Sequence, residues 1–298
     1  MITFKPITPA SKKEITTYTI PGAYRDNNLS ICNLCSWHFL NDSCFAIVDR
    51  MLVIRFTFHN GQYIYTLPFG KGDITTALEL LHQETQELGQ PLMFFGSLPE
   101  LKDVLEKYFP SPFEYDSHRD HYDYLYLRTS LAELKGREYQ PKRNHANRFR
   151  KTYSYEYIPL TPDILPHCLE LAEKWCMDHD CQKSKSLRNE QKAMAFAMKH
   201  FRQLELLGGA LRVNGEIIAF TYGAPVNHDT FCVHIEKADT GFDGAYAVIN
   251  QEFAAHIPEK YTYINREEDL GIPGLRKAKL SYQPELLLEK CLATCQPE

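Results

Sequence analysis

The sequence of 298 residues lacks any stretch of about 20 consecutive apolar residues, the length that an α-helix needs to cross a bilayer. Its N-terminus also lacks an apolar core of signal-peptide length. These absences argue against a membrane span and an export signal, so we expect a soluble, cytoplasmic protein. The length suits one large domain or two ordinary ones.

The nine cysteines lack the spacing of a zinc finger. Cys32 and Cys35 form a CxxC pair, and Cys291 and Cys295 form a CxxxC pair, but neither has a second ligand pair at the required separation. The odd count and the missing export signal favour reduced, mostly buried thiols. The segment 118–123 (HRDHYD) lies between two strand-like runs and is typical of a polar turn, so we predict no metal site.

One order of elements occurs twice along the chain, although the two halves share almost no sequence identity. The first half predicts strands at 44–48, 51–58 and 62–67, a helix at 73–88, a strand at 92–95, a helix at 98–108 and a strand at 122–127. The second half predicts strands at 209–213, 216–224 and 230–236, a helix at 244–256, a strand at 261–264, a helix at 275–281 and a strand at 285–292.

This order is typical of the acetyltransferase-type α/β fold. We therefore predict a tandem duplicated acetyltransferase (GNAT)-like fold with mixed, mostly antiparallel sheets flanked by helices. The N-terminal domain would span 1–130, and the C-terminal domain would span 131–298 and open with a basic helix at 141–152. In this fold a loop leading into a helix presents backbone N–H groups to a pyrophosphate.

The corresponding loops here are 69–73 and 240–245, and the second supplies Gly241, Gly244 and Ala245. Neither loop has the usual acetyltransferase signature of Gln or Arg, two residues, Gly, one residue, and Gly or Ala. This departure from the signature argues against coenzyme A as the donor. A second phosphate-binding candidate is the helix at 141–152, which contains Arg143, Arg148 and Arg150. This segment is locally basic in a chain whose net charge is −5, and such a patch attracts phosphates. The alternative is a solvated amphipathic helix packed through Phe149.

Five polar residues in a row follow the predicted strand at 261–264: Asn265, Arg266, Glu267, Glu268 and Asp269. A glycine–proline turn and a basic helix with Arg276, Lys277 and Lys279 come next. A buried strand that ends in such a cluster is costly unless the cluster meets a ligand or a partner. A solvated loop is the alternative interpretation.

Several of these segments resemble the family of phosphatidylglycerol lysyltransferase C-terminal domains, which is related to the Fem-type aminoacyl transferases. The matching segments are KRNH with RF at 142–149, EKAD at 236–239, GAY with NQEF at 244–253, and NREEDLG with GLRKAK at 265–279. The match is closest to soluble members of unassigned activity. The resemblance implies a two-lobed fold and aminoacyl-tRNA as a possible donor. The acceptor stays open between a small molecule, a peptide and a lipid headgroup.

Acyl or aminoacyl transfer needs a base, a stabilised oxyanion and a bound carrier. Our candidates for proton transfer are Glu236, Glu267 or Asp269 as the base and Tyr222 or Tyr282 as the acid. The substrate-binding candidates are Asn265, Arg266, Arg276 and Lys277, among which an arginine could hold a carboxylate or phosphate bidentately. Structural alternatives also exist, because Glu236 could form a surface pair with Lys237 and Glu267 an ion pair with Arg276 or Lys277.

Three functions stay open from the sequence. The first is an aminoacyltransferase that takes its donor from charged tRNA bound by the basic helix. The second is a coenzyme-A-dependent N-acetyltransferase that uses the loop at 240–245. The third is a non-catalytic binding module on the same fold. We favour transfer chemistry in the second half, because the first half has GSLP at 96–99 where the second half has the charged cluster.

Overall fold

The computed structural model describes residues 2–58 and 60–296. Its helices are α1 (Lys12–Thr19), α2 (Ile31–Ser36), α3 (His38–Asn41), α4 (Ile74–Glu87), α5 (Leu98–Tyr108), α6 (Arg128–Glu133), α7 (Gln140–Thr152), α8 (Leu165–Asp178), α9 (Lys185–Lys199), α10 (Ala245–His256) and α11 (Pro273–Leu280). Its strands are β1 (Lys5–Pro6), β2 (Cys44–Val48), β3 (Met51–Thr57), β4 (Tyr63–Tyr65), β5 (Phe69–Gly70), β6 (Leu92–Ser97), β7 (Glu114–Asp116), β8 (Asp123–Leu127), β9 (Tyr155–Pro159), β10 (Leu207–Val213), β11 (Glu216–Pro225), β12 (Thr230–Ala238), β13 (Tyr263–Asn265), β14 (Leu286–Leu288) and β15 (Lys290–Cys295).

These strands form two sheets. The first has the order β1-β2-β3-β4-β6-β15-β7, with β5 paired to β3, and the second has the order β14-β8-β13-β12-β11-β10-β9. Within each sheet one pair is parallel, β4 with β6 and β12 with β13, and the other pairs are antiparallel. Each sheet thus has an antiparallel meander followed by a parallel neighbour that is reached through a helix. The predicted tandem GNAT-like fold is confirmed.

The two halves exchange their final strands. Strand β8, from the first half of the sequence, pairs with β13 and β14 in the second sheet, whereas β15 pairs with β6 and β7 in the first sheet. The single strand predicted at 285–292 is therefore wrong, because the chain crosses between the sheets at Glu289. The division at residues 130 and 131 stays a prediction, and neither sheet is built from one of these halves alone.

The second sheet is covered on both faces. Phe231 and Val233 of β12 point to the side that packs against α6 and α10, where they join Phe253 in one apolar cluster. Cys232 and Ile235 point to the opposite side, which α2, α8 and α9 cover. This change of side between Val233 and Ile235 reflects a β-bulge at His234, where the register with β11 shifts.

Local turn chemistry explains the hairpins. The turn between β10 and β11 is made by Asn214 and Gly215, whose φ angles of 51° and 89° suit an Asn-Gly hairpin turn.

Among the described residues, no helix is long and apolar enough to cross a membrane. The expectation of reduced thiols is wrong for one pair, because the end of α8 and the turn after it bring Cys176 and Cys181 together in a disulfide.

Candidate functional site

The parallel strands β12 and β13 pair only from Thr230 to Cys232 and from Tyr263 to Asn265, and beyond these residues they separate. We call the space between them, beyond Cys232 and Asn265, the notch. Two charged pairs span it. On the α10 side, Arg266 Nη2 lies 3.1 Å from Glu236 Oε1. On the α2 side, His234 Nδ1 lies 2.8 Å from Glu267 Oε1.

The α10 side of the notch is built around Arg266, whose guanidinium lies 4.8 Å from the ring centre of Tyr282 and 5.7 Å from that of Tyr126. The side chains of Arg266 and Glu236 are each 13% exposed. Burial lowers the pKa of Arg266, but the Glu236 carboxylate outweighs this effect and raises the pKa above its ordinary value. Asn250 Nδ2 donates a hydrogen bond of 3.1 Å to the other oxygen of Glu236. The predicted candidates Glu236, Arg266 and Tyr282 therefore lie together.

Two polar atoms of this group are left without a partner. Among the residues that the structure describes, Arg266 Nη1 and Asn250 Oδ1 are buried and make no hydrogen bond. Leaving a buried donor or acceptor unsatisfied costs about 1–3 kcal/mol for each group. One free N–H donor and one free carbonyl acceptor, on two side chains that both bind Glu236, suit a ligand that carries both a carbonyl oxygen and an amine.

Lys142 also belongs to this group, and we did not predict it as a site residue. Its Nζ lies 4.1 Å from the ring centre of Tyr282. Burial and the nearby Arg266 lower the pKa of Lys142, with Glu236 opposing them, whereas burial raises the pKa of Tyr282 so that its hydroxyl keeps its proton. A signal was present in the sequence, because Lys142 shares a helical stripe with Ala146 and Phe149, which are both buried.

On the α2 side, Glu267 pairs with a histidine rather than with a helix cation. Its Oε1 accepts hydrogen bonds from His234 Nδ1 at 2.8 Å and from Asn33 Nδ2 at 3.1 Å. Glu267 therefore does not form the ion pair with Arg276 or Lys277 that the sequence offered as a structural alternative. The other ring nitrogen of His234 lies 2.9 Å from Ser30 Oγ, and Cys232 Sγ lies 3.6 Å from Nδ1. Sequence reasoning missed Ser30 and His234, because local spacing carries no signal for a contact across 204 positions.

Asp269 is fully buried and surrounded by donors. Arg276 binds it bidentately with two bonds of 2.8 Å, and Tyr124 Oη and Gly271 N donate at 2.5 and 2.9 Å. Burial raises the pKa of Asp269, but these bonds outweigh burial and lower the pKa well below its usual range. Arg276 also binds Asp120 at 2.6 Å. Asp269 and Arg276 therefore brace the loop after β13, and each has most of its polar atoms occupied within the fold.

The other predicted substrate-binding residues take different positions. Asn265 is buried and donates to Asp123 Oδ2 and to the Arg25 carbonyl, both at 2.8 Å. Lys277 is exposed and lines a groove of about 540 Å³ with Gly271, Pro273, Arg276, Leu280 and Ser281. Lys279, from the same helix, donates to the carbonyls of Arg266, Glu267 and Glu268, and so fixes the backbone at the edge of the notch.

A buried charge cluster lies where the exchanged strands meet. Lys290 Nζ, at the start of β15, lies 2.7 Å from Asp123 Oδ1, at the start of β8. Asp26 and Glu268 stand 3.7 and 3.6 Å from the same ammonium. One cation therefore faces three carboxylates. Burial raises the pKa of Asp123 to about 7, with Lys290 opposing this effect and the other two carboxylates adding to it.

The loop 240–245 is covered by α7. Gly244 has φ 94°, and a Cβ at this position would lie 2.5 Å from the His145 carbonyl oxygen. The N–H groups of Gly241 and Ala245 already donate to Asp239 Oδ1 and the Phe242 carbonyl, at 2.8 and 3.0 Å. A loop that is covered, internally bonded and next to carboxylates is a poor site for a pyrophosphate.

The three arginines predicted to bind phosphate have partners within the fold. Arg143 donates to the carbonyls of Leu134 and Gly136 and to the side chain of Gln140. Arg150 donates to Tyr155, Gln251 and Glu252 at 3.0–3.1 Å. Arg148 pairs with Asp243 at 3.0 Å, and its side chain is 60% exposed. Of the three, Arg148 is the most accessible to a phosphate.

Comparison with known proteins gives a match over residues 23–294 to the family described as phosphatidylglycerol lysyltransferase, C-terminal. A crystal structure of a conserved protein of unknown function from Bacteroides thetaiotaomicron is 49% identical and covers 99% of both chains, with a TM-score of 0.95. The structure of L-PGS from Bacillus licheniformis shares the fold at 14% identity, covers 99% of this chain and 94% of its own, and has a TM-score of 0.65. An uncharacterised protein of Mycoplasmoides gallisepticum is 26% identical over 180 residues, which are 59% of this chain and 56% of that protein.

Proposed function

Because the chain belongs to the phosphatidylglycerol lysyltransferase C-terminal family, we propose that it transfers an aminoacyl group to an amine or hydroxyl acceptor in the notch. The observation that carries this proposal is the unpaired Nη1 of buried Arg266, together with the unpaired Oδ1 of Asn250, on two side chains that both bind Glu236. An aminoacyl group offers a carbonyl oxygen to the first atom and an amine to the second. A bound donor would therefore satisfy both groups that the protein leaves unsatisfied.

Arg266 would act on the oxyanion. When the acceptor nitrogen or oxygen attacks the aminoacyl carbonyl, negative charge develops on the carbonyl oxygen, and Arg266 Nη1 donates a hydrogen bond to it. Removal of one such donor from an acyl-transfer enzyme lowers the rate by about 10²–10³. Glu236 keeps the guanidinium in place through its 3.1 Å bond to Nη2, and is a positioning residue in this scheme.

Lys142 would carry the proton. Burial and Arg266 lower the pKa of Lys142, which favours the neutral amine that a base requires. It takes the proton from the attacking acceptor and returns it to the leaving hydroxyl oxygen of the carrier, so the proton count balances. The ring of Tyr282, 4.1 Å from Lys142 Nζ, stabilises the transient ammonium. Asp269 has no part in this scheme, because its oxygens are occupied by Arg276, Tyr124 and Gly271.

Charged tRNA suits this chain better than coenzyme A as the donor. The loop 240–245 is covered by α7, and its N–H groups at Gly241 and Ala245 are already bonded. The acceptor could be a small molecule, a peptide or a lipid headgroup. The family argues for an aminoacyl carrier, and the exposed Arg148 and Lys277 offer charges for its phosphates.

Transfer of labelled amino acids from a pool of charged tRNAs would test the proposal. Acceptors would be offered as free amino acids, short peptides and vesicles of anionic phospholipid. We expect label to enter one acceptor class, and Arg266→Gln to lower the rate about 100-fold. Arg202→Gln is the matched control, since it removes an exposed arginine that lies outside the notch and has no place in the proposed donor site. Binding of charged tRNA without transfer to any acceptor, or full activity in Arg266→Gln, would disprove the proposal.

A further inference from the structure

Three potential metal ligands converge on the α2 side of the notch. Cys232 Sγ, His234 Nδ1 and Glu267 Oε1 all lie within 4.8 Å of one another. The sulfur lies 3.6 Å from the nitrogen and 3.8 Å from the carboxylate oxygen, and the nitrogen and oxygen are 2.8 Å apart. These atoms come from the bulged part of β12 and from the loop after β13. Lys279 Nζ holds that loop by donating to the Glu267 carbonyl.

The separations are close to those of a tetrahedral zinc site. With ordinary bond lengths to sulfur, nitrogen and oxygen, tetrahedral geometry places sulfur about 3.5 Å from each of the other two ligands, and nitrogen about 3.3 Å from oxygen. The two distances from Cys232 Sγ, 3.6 and 3.8 Å, are therefore near the required values. Only the contact between His234 and Glu267 must lengthen, by about half an ångström, to admit the ion.

The surroundings orient these ligands as they do in metal sites. A ligating histidine usually bonds an oxygen through its second ring nitrogen, and His234 Nε2 lies 2.9 Å from Ser30 Oγ. Glu267 Oε1 is held by Asn33 Nδ2, and the Glu267 N–H donates to Asn265 Oδ1 at 2.7 Å. The His234 side chain is 4% exposed, so an ion bound here would be shielded from water.

Cys232 completes the group as a fully buried thiol. Its Sγ lies 3.6 Å from the imidazole nitrogen of His234 and 3.8 Å from the carboxylate oxygen of Glu267. A proton shared between His234 and Glu267 accounts for the short contact between these two residues. It does not account for a buried thiol at this distance from both of them.

We propose that Cys232, His234 and Glu267 bind Zn²⁺, with the fourth coordination position left open. A thiolate, an imidazole and a carboxylate suit zinc and are poorly suited to Mg²⁺ or Ca²⁺. The ion would connect β12 to the loop after β13, and would fix the angle at which the notch opens. Local spacing predicted no metal site, because Cys232 and His234 alone are too few ligands and Glu267 lies 33 positions after His234.

Cobalt(II) is the probe, since tetrahedral thiolate coordination gives it intense visible absorption and a charge-transfer band in the near ultraviolet. The purified chain would be treated with a chelator under reducing conditions and then titrated with Co²⁺. We expect one equivalent to bind and Zn²⁺ to displace it. Ser30→Ala should weaken binding by about 10-fold or more through loss of the hydrogen bond to His234.

Cys232→Ser should abolish the charge-transfer band, whereas Cys168→Ser, which removes a buried thiol on α8, should leave it unchanged. If Cys232→Ser does not fold, Glu267→Gln provides the second test, and it should weaken Co²⁺ binding. Absence of a thiolate band in the wild-type chain, or equal loss in the Cys168 variant, would refute the site. Transfer activity would be measured with and without chelator, so that failure of the metal proposal is distinguished from failure of the proposed function.

Discussion

Replacing Gly244 with alanine is expected to destabilise the fold by about 2–5 kcal/mol. The position has φ 94°, a left-handed conformation that costs a residue with a Cβ about 1–2 kcal/mol. The new methyl group would also lie 2.5 Å from the His145 carbonyl oxygen and 3.0 Å from Phe149 Cβ, both on α7. Overpacking of this kind adds about 1–3 kcal/mol, because the backbone of α7 must move.

Gly215→Ala separates the two contributions. Gly215 has φ 89°, and no atom lies within 4 Å of the Cβ position, so this variant should lose only the conformational part, about 1–2 kcal/mol. Unfolding in urea, followed by circular dichroism, would give the loss as a shift of the midpoint at constant slope. Thermal unfolding with and without acetyl-CoA would complete the comparison.

Equal losses in the two variants would refute this reasoning. Such a result would mean that α7 does not pack against the loop 240–245, and the case against a pyrophosphate site there would fail with it. A rise in the melting temperature with acetyl-CoA, abolished by Gly244→Ala, would point the same way, since a ligand stabilises only the state that binds it. We expect neither result.

Three further outcomes are expected. The folded-state pKa of Asp123 is about 7, which exceeds its unfolded value, so its contribution to stability is present at low pH and lost as pH rises from about 4 to 7. In urea titrations the unfolding free energy of the wild type minus that of Asp123→Asn should therefore fall over that window. A rise in this difference would contradict the prediction. Lys279→Met should lower the free energy of unfolding by about 2–3 kcal/mol and speed hydrogen exchange in residues 266–268, because three backbone carbonyls lose their donor. Unchanged exchange would contradict the role of Lys279 in fixing this loop. Arg143→Gln should lower stability by about 1–2 kcal/mol through loss of its bonds to backbone carbonyls. Arg137→Gln, at an exposed position, should not lower it, and equal denaturant midpoints for the two arginine variants would contradict the difference.

The fold could be predicted because its signals are local. The hairpin at Asn214 and Gly215 and the helix at 98–108 depend on turn chemistry and periodicity within a few residues of each other. The exchange of strands could not be predicted in this way. A strand such as β8 has the same alternation of residues whichever sheet it joins, and its partners are decided by packing across the whole molecule.

The site was predictable only in part, for the same reason. The run from Asn265 to Asp269 stood out as a polar cluster after a strand, and the structure places it at the notch. The partners of that cluster come from distant segments: Ser30 and His234 for Glu267, and Asn250 for Glu236. No local sequence pattern distinguishes Glu236, which binds an arginine with an unpaired N–H group, from Asp269, whose oxygens already accept hydrogen bonds within the fold.

The exchange of strands also affects how the chain can fold during synthesis. Strand β15 lies between β6 and β7 in the first sheet, yet it is translated after every other strand of that sheet. Until it emerges from the ribosome, β6 presents an unpaired edge and β7 has no partner, and an open edge of this kind can pair with another chain. The first sheet must therefore wait for the second, and a chain truncated before Lys290 should aggregate from its N-terminal half.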